Sequence, residues 1–452
     1  MPDQPAAPEK PAPAVKPAPP SGLVAVPTPL GIRSVEAELD LFIRHVDALA
    51  ESLPFSMAMI RAARVNASRE VLKAEEEFGE NVEVVGSVRT VTLKPEGVVP
   101  FQKWKRRGER FALAEELLPR SYLVALVGQY DAFLGGLIRA LFLLRPDLLN
   151  ASERKLSYSE LMAFGSLDEA RDSLVEKEIE SVLRDSHSKQ FDWLEGRFGV
   201  ELRKGLSIWP EFVEVTERRN LFVHTSGIVS RQYVEVCRKH GVALGEAQQA
   251  GAQLGVTRKY LRRAYSVVLE LGIKLAHVLW RKVSPSQLSA ADDHLNKVAY
   301  ELLAEQRFPL AACVLDFAAD GLKKHANSEA RLTYVVNRAQ AHKWMGDEPS
   351  ANAILSKEDW SAVSENFKLA ERVLRDDFPG AIALMRTIGK DGSVGLLQYR
   401  TWPLFRKLRE DQEFLSAFEE MFGEPLNRVT TEAALAEPET GPEPLESTAV
   451  GR

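Results

Sequence analysis

Arg219, Asn220 and His224 lie within six positions of this 452-residue chain, and their side chains are the ones best equipped for chemistry. A guanidinium offers a planar fork of donors that suits a carboxylate or a phosphate. An imidazole exchanges a proton near neutral pH and can act as general acid or base. The carboxamide of Asn220 can orient either one. Helical periodicity places Asn220 and His224, four apart, side by side on one face. Arg219 falls in the middle of an apolar stripe formed by Phe212, Val215, Phe222 and Val223. An unpaired guanidinium on such a stripe costs several kcal/mol. Arg219 must therefore meet a carboxylate such as Glu176 or Glu180, a phosphate, or a second protein surface that holds water. Arg218 reads as its solvent-side neighbour.

The positioning element is a short helix. Pro210 sits where a first helical residue belongs, and Gly227 where the residue past a helix end belongs. The motif Arg219-Asn220-Leu221-Phe222-Val223-His224, an Arg, four residues and a His with a polar residue after the Arg, resembles that of the HEPN superfamily of helical domains. The continuation Gly227-Ile228-Val229 to Tyr233 is similar to one branch of it. The resemblance covers residues 117–282 and is specific at 218–233.

The resemblance implies a metal-independent endoribonuclease whose site is built across a homodimer. In it Arg219 would hold phosphate, His224 would move the proton, and Asn220 would orient His224 or the RNA. It also implies a toxin or antiphage setting. The second function class is a non-catalytic interaction or scaffold protein of the same fold.

Composition bounds the alternatives. An apolar content of 45% can build full cores, and a net charge of −6 argues against general coating of nucleic acid but leaves room for a local basic cleft. Two distant cysteines, Cys237 and Cys313, form neither a disulfide framework nor a metal knuckle. The remaining histidines show no paired-ligand spacing, and no phosphate-binding glycine loop or nucleophile elbow occurs, so no metal or cofactor is expected. The start lacks an apolar signal core. The apolar run from Tyr122 to Leu144 is interrupted by Gln129, Asp131 and Arg139, which favours a buried helix in a soluble, cytoplasmic protein over a membrane span.

The expected fold class is all-α in three parts. Residues 1–30, rich in proline, read as a disordered tail. Residues 31–115 read as helices capped by Ser34 and joined through a small β-hairpin that breaks at Gly86-Ser87. The run Lys103 to Arg110, with Trp104 inside it, is either an RNA-contacting patch or, as charge runs usually are, a solvated face. Residues 116–282 form the HEPN-like bundle. It opens with a helix from Leu117 to Leu144 whose Gly128, Gly135 and Gly136 suggest close helix approach. Residues 290–426 carry weak repeats, aligned on Ala312, Ala351 and Ala381, that resemble degenerate tetratricopeptide repeats able to hold a protein partner. Trp402 to Phe414 reads as a terminal capping helix. Residues 427–452 form an acidic tail.

Overall fold

The structure, a computed structural model, describes residues 33–86, 88–151 and 156–428. Both expected tails fall largely outside these residues. The fold is all-α with one small β-hairpin. In chain order the elements are α1 (Val35–Phe78), β1 (Gly79–Val85), β2 (Val88–Leu93), α2 (Pro95–Leu144), α3 (Tyr158–Met162), α4 (Leu167–Arg184), α5 (His187–Phe198), α6 (Trp209–His224), α7 (Arg231–Lys239) and α8 (Arg258–Val283). Then come α9 (Leu288–Ala304), α10 (Phe308–Asp316), α11 (Ser328–Trp344), α12 (Glu348–Leu355), α13 (Glu365–Leu374), α14 (Phe378–Ile388), α15 (Leu396–Thr401) and α16 (Gln412–Phe422).

Ser34 starts α1 by accepting from the Ala37 N–H at 3.1 Å. The helix then runs 44 residues, through Pro54, to the antiparallel hairpin, where Val82 pairs with Val91. The return helix α2 is longer than its sequence pattern suggests. It begins at Pro95, not Leu117, and passes through Pro100 and Pro119. Each proline removes one helical hydrogen bond and would by itself favour a break. Packing against α1 along the shared length overrides that preference. The division at 115/116 therefore falls inside one continuous helix, and the basic run Lys103–Arg110 is an exposed face of α2.

The outer parts of α1 and α2 form an arm tipped by the hairpin, and their inner parts enter the bundle. Val35, Leu39, Phe42 and Val46 of α1 pack with Leu123 to Phe142 of α2 and with the buried faces of α4, α5, α6 and α8. Close approach is enforced at Gly272 of α8, where an added Cβ would lie 2.4 Å from the Phe42 ring. A Cβ on Gly136 would lie 2.4 Å from the Glu38 carboxylate and one on Gly135 a looser 3.2 Å from Leu183, whereas Gly128 faces open space and carries no such contact. α2 is the one described helix long and apolar enough to cross a membrane, and its most apolar window is 56% buried inside the protein. That burial marks a core helix.

α9 and α10 bury against α8 and share the bundle's core, while α11 to α16 build a second one. Three inter-helix turns repeat the same backbone. Gln306, Gly346 and Asp376 all adopt positive φ, and each is followed three residues later by Pro309, Pro349 or Pro379 in the first turn of a helix. That register makes Ala311, not Ala312, the counterpart of Ala351 and Ala381, and all three are buried at the helix contacts. Trp402 to Glu410 is not helical throughout: it folds as two short 3-10 turns before α16, which buries Phe414 and Phe418.

Candidate active site

α6 is set by its two ends and by one buried carboxylate. Pro210 occupies its first turn, and Thr225 closes it by donating its N–H to the Leu221 carbonyl at 2.8 Å. Beyond the helix, Ser226 (φ 53°) and Gly227 (φ 92°) turn the chain so that Val229 exchanges backbone hydrogen bonds with Gly251 and Ala252, and the Leu254 N–H donates to the Gly227 carbonyl. A Cβ on Gly227 would lie 2.8–2.9 Å from Gln253, Phe222 and the Leu254 carbonyl. Gly227→Ala is therefore expected to destabilise the protein by at least ~1 kcal/mol through φ alone, with the clash added to that. A chemical-denaturation midpoint equal to wild type would contradict it.

Glu214 anchors the helix from inside. Its carboxylate accepts from the Tyr233 hydroxyl at 2.7 Å, the Tyr260 hydroxyl at 2.7 Å and Arg218 Nε at 2.7 Å. The Arg218 guanidinium stacks 4.0 Å above the Tyr260 ring and donates to the Gly255 carbonyl. Its side chain is only 11% exposed, so Arg218 is a structural strut and not a solvent-side neighbour. Burial, reinforced by the Glu214 charge, pushes both the Tyr233 and Tyr260 hydroxyls well above the usual tyrosine range. In the unfolded chain these phenols ionise near pH ~10. The contribution of the pair to stability is thus complete below that pH and is lost as pH rises above it. Urea midpoints should fall from about pH 10 upward, more steeply in wild type than in Tyr233→Phe. Parallel slopes would refute the coupling.

Arg219 does have a fixed partner in its own chain, and it is not in the acidic helix. Its Nη2 donates to Asp131 Oδ2 of α2 at 2.9 Å, while its Nε is buried without an acceptor. Asp131 Oδ1 lies 3.0 Å from Nε2 of His187, the first residue of α5. The His187 ring is buried edge-on against Phe212. Glu176 instead pairs with Arg139, and Glu180 with Arg184. Beside this cluster, burial raises the Glu217 carboxyl, while His187, an Asn220 hydrogen bond and Arg219 pull it down. Asn220 Nδ2 donates to Glu217 Oε1 at 3.5 Å and makes no hydrogen bond to His224.

His224 ends α6 exposed and has no hydrogen-bond or ion-pair partner among the described residues. Val223, expected on the inward stripe, is 50% exposed, because Leu221 takes the buried position at the end of the helix. Arg219 and His224, five residues apart, point roughly 140° away from each other around the helix axis. One chain brings Arg219 together with Asp131 and His187, but leaves His224 separate. Across a shallow groove of about 290 Å³, Leu117 of α2 lies opposite Phe222 and Ser226. There the Arg120 guanidinium sits 5.5 Å over the Phe222 ring. Val223, Ile228 and Leu117 make this face apolar and exposed.

Asp131 and His187 are the residues that the sequence reading missed. The available signal was Asp131 itself: a carboxylate amid a long apolar run needs a partner for the same reason that Arg219 does. Compared with protein-family models, curated proteins and solved structures, the chain matches none.

Proposed function

We propose that the protein is a metal-independent endoribonuclease whose site forms where two copies bring their α6 ends together. The observation that carries this reading is His224, an exposed imidazole with no structural partner, five residues after a held guanidinium. In the reaction a ribose 2′-oxygen attacks the adjacent phosphorus and the bond from phosphorus to the 5′-oxygen breaks. The 2′-hydroxyl proton leaves to a base and another proton reaches the 5′-oxygen. The products are a 2′,3′-cyclic phosphate and a 5′-hydroxyl. His224 moves one of these protons, and Arg219 stabilises charge developing on the phosphoryl oxygens. Since Arg219 and His224 diverge within a chain, a two-fold pairing is what would let them act on one phosphate. The exposed apolar residues Val223 and Ile228 near the end of α6, and Leu117 across the groove from Phe222, are suited to such a contact.

A second reading, a non-catalytic interaction protein whose repeats hold a partner, is favoured by the Arg219–Asp131–His187 pairing, which gives Arg219 a structural role. Incubation with a mixed RNA pool in EDTA distinguishes the two. Cleavage to cyclic-phosphate ends by a sedimenting dimer is the expected result. Intact RNA would leave the interaction reading, and cleavage by a monomer would overturn the composite site.

A further inference from the structure

Where the bundle meets the first helical pair of the repeat module, a groove of about 1250 Å³ opens, and its charge is one-sided. Six basic side chains line it: Lys204, Lys274, Arg281, Lys282, Lys323 and Lys324. Its three carboxylates are already engaged. Glu201 pairs with Lys204 at 2.9 Å, Glu270 with Lys274 at 2.5 Å, and Asp316 with Arg338 at 2.6 Å. Lys282, at the end of α8, and Lys323 and Lys324, just after α10, have no ion pair among the described residues.

Arg281 lines the same groove, and its side chain is only 9% exposed. Its Nη2 donates to Asp292 Oδ1 at 2.7 Å. Its Nε and Nη1 are buried with no hydrogen bond of good geometry, the Tyr334 oxygen being the nearest acceptor to the guanidinium besides Asp292. A guanidinium with two unused donors is an expensive thing to bury unless an acceptor arrives. The remaining wall is apolar, with Leu275 and Val278 of α8 facing the groove alongside Phe317. Arg281 follows Tyr260, next to the α6 site, by 21 residues on the same helix, roughly 30 Å at ~1.5 Å per residue. None of Arg219, Asn220 and His224 lines the groove.

We propose that this groove binds a small polyphosphate anion, carried by a nucleotide or free. Its phosphates would lie among Lys282, Lys323 and Lys324, with the Arg281 charge in the same wall. Clustered phosphates match this arrangement because each accepts several charge-assisted hydrogen bonds and neutralises the unpaired lysines together. Bound there, the anion ties α8 to the segment that follows α10 and stiffens the junction between bundle and repeats.

The test is calorimetric titration of the full chain at low salt with tripolyphosphate, ATP and adenosine. Tripolyphosphate and ATP should bind with Kd below about 100 µM, and adenosine should give no heat. Lys323→Glu/Lys324→Glu, on an exposed segment, should weaken both by at least about tenfold without changing the unliganded Tm, and raised salt should weaken them further. ATP binding about tenfold tighter than tripolyphosphate identifies a nucleotide that uses the apolar wall; equal affinity identifies the free anion. Absence of heat with both overturns the proposal. So does an equal loss from Lys103→Glu/Lys105→Glu on the arm, which would mean diffuse attraction. Binding of an RNA oligonucleotide alone, weakened by the Lys323 and Lys324 changes, would assign the patch to nucleic acid instead.

Discussion

His224→Ala should abolish RNA cleavage while leaving the protein as stable as wild type. His224 is exposed and unpartnered, so truncating it breaks no hydrogen bond and leaves no cavity, and surface changes of this kind stay within about 0.5 kcal/mol. Its proposed work is proton transfer, and removing a positioned general acid or base lowers rates by ~10²–10⁴-fold. The pairing of a large kinetic effect with a negligible stability effect is what separates a catalytic histidine from a structural one. His224→Gln should fail equally, since a carboxamide keeps hydrogen-bonding ability but cannot carry the proton. If His224→Ala still cleaves in EDTA, or unfolds several degrees early, the assignment is wrong.

The second large effect concerns the Asp131–Arg219–His187 cluster. Were Arg219 aimed at an empty phosphate site, Arg219→Leu would be neutral or stabilising, because Leu suits a helix face beside Phe212 and Val215. The structure places Asp131 against it instead, with His187 on the carboxylate's other oxygen. Arg219→Leu then strands a partly buried carboxylate. Loss of one partner of a buried pair costs ~3–5 kcal/mol, but Arg219 and Asp131 are 21% and 30% exposed, and solvent screens what remains. A loss of about 1–3 kcal/mol is the expected result. Asp131→Asn should cost a similar amount, and the double change less than the sum, giving a coupling energy of at least ~1 kcal/mol. Denaturant midpoints at one protein concentration measure it. Zero coupling would mean that the ion pair is idle and that Arg219 is held by nothing in its own chain.

The same pair decides how the nuclease reading is tested. Arg219→Ala cannot be interpreted from activity alone, because lost cleavage could follow from a displaced α6. Asp131→Asn resolves this: it disturbs the strut and leaves the guanidinium. Cleavage retained in Asp131→Asn but lost in Arg219→Leu would separate phosphate binding from packing.

What the sequence determined by itself is what local physics controls. Ser34 as a cap, Pro210 and Gly227 as the bounds of the motif helix, and the small β-hairpin that joins the first helices all follow from hydrogen-bonding and backbone preferences of a few adjacent residues. The all-α class followed likewise from apolar spacing. Tertiary structure decided the rest. It ran α2 unbroken through Pro100 and Pro119, because contact with α1 along its length outweighs two lost hydrogen bonds. It turned Val223 out and Leu221 in, because the end of α6 packs against the segment from Val229 to Leu254 and not the bundle centre. It also chose the partner of Arg219. Local periodicity could say that a guanidinium on an apolar stripe needs an acceptor, but eligible carboxylates lay all along the chain. Only the crossing of α2, α5 and α6 brings Asp131, 88 residues away, to within 2.9 Å.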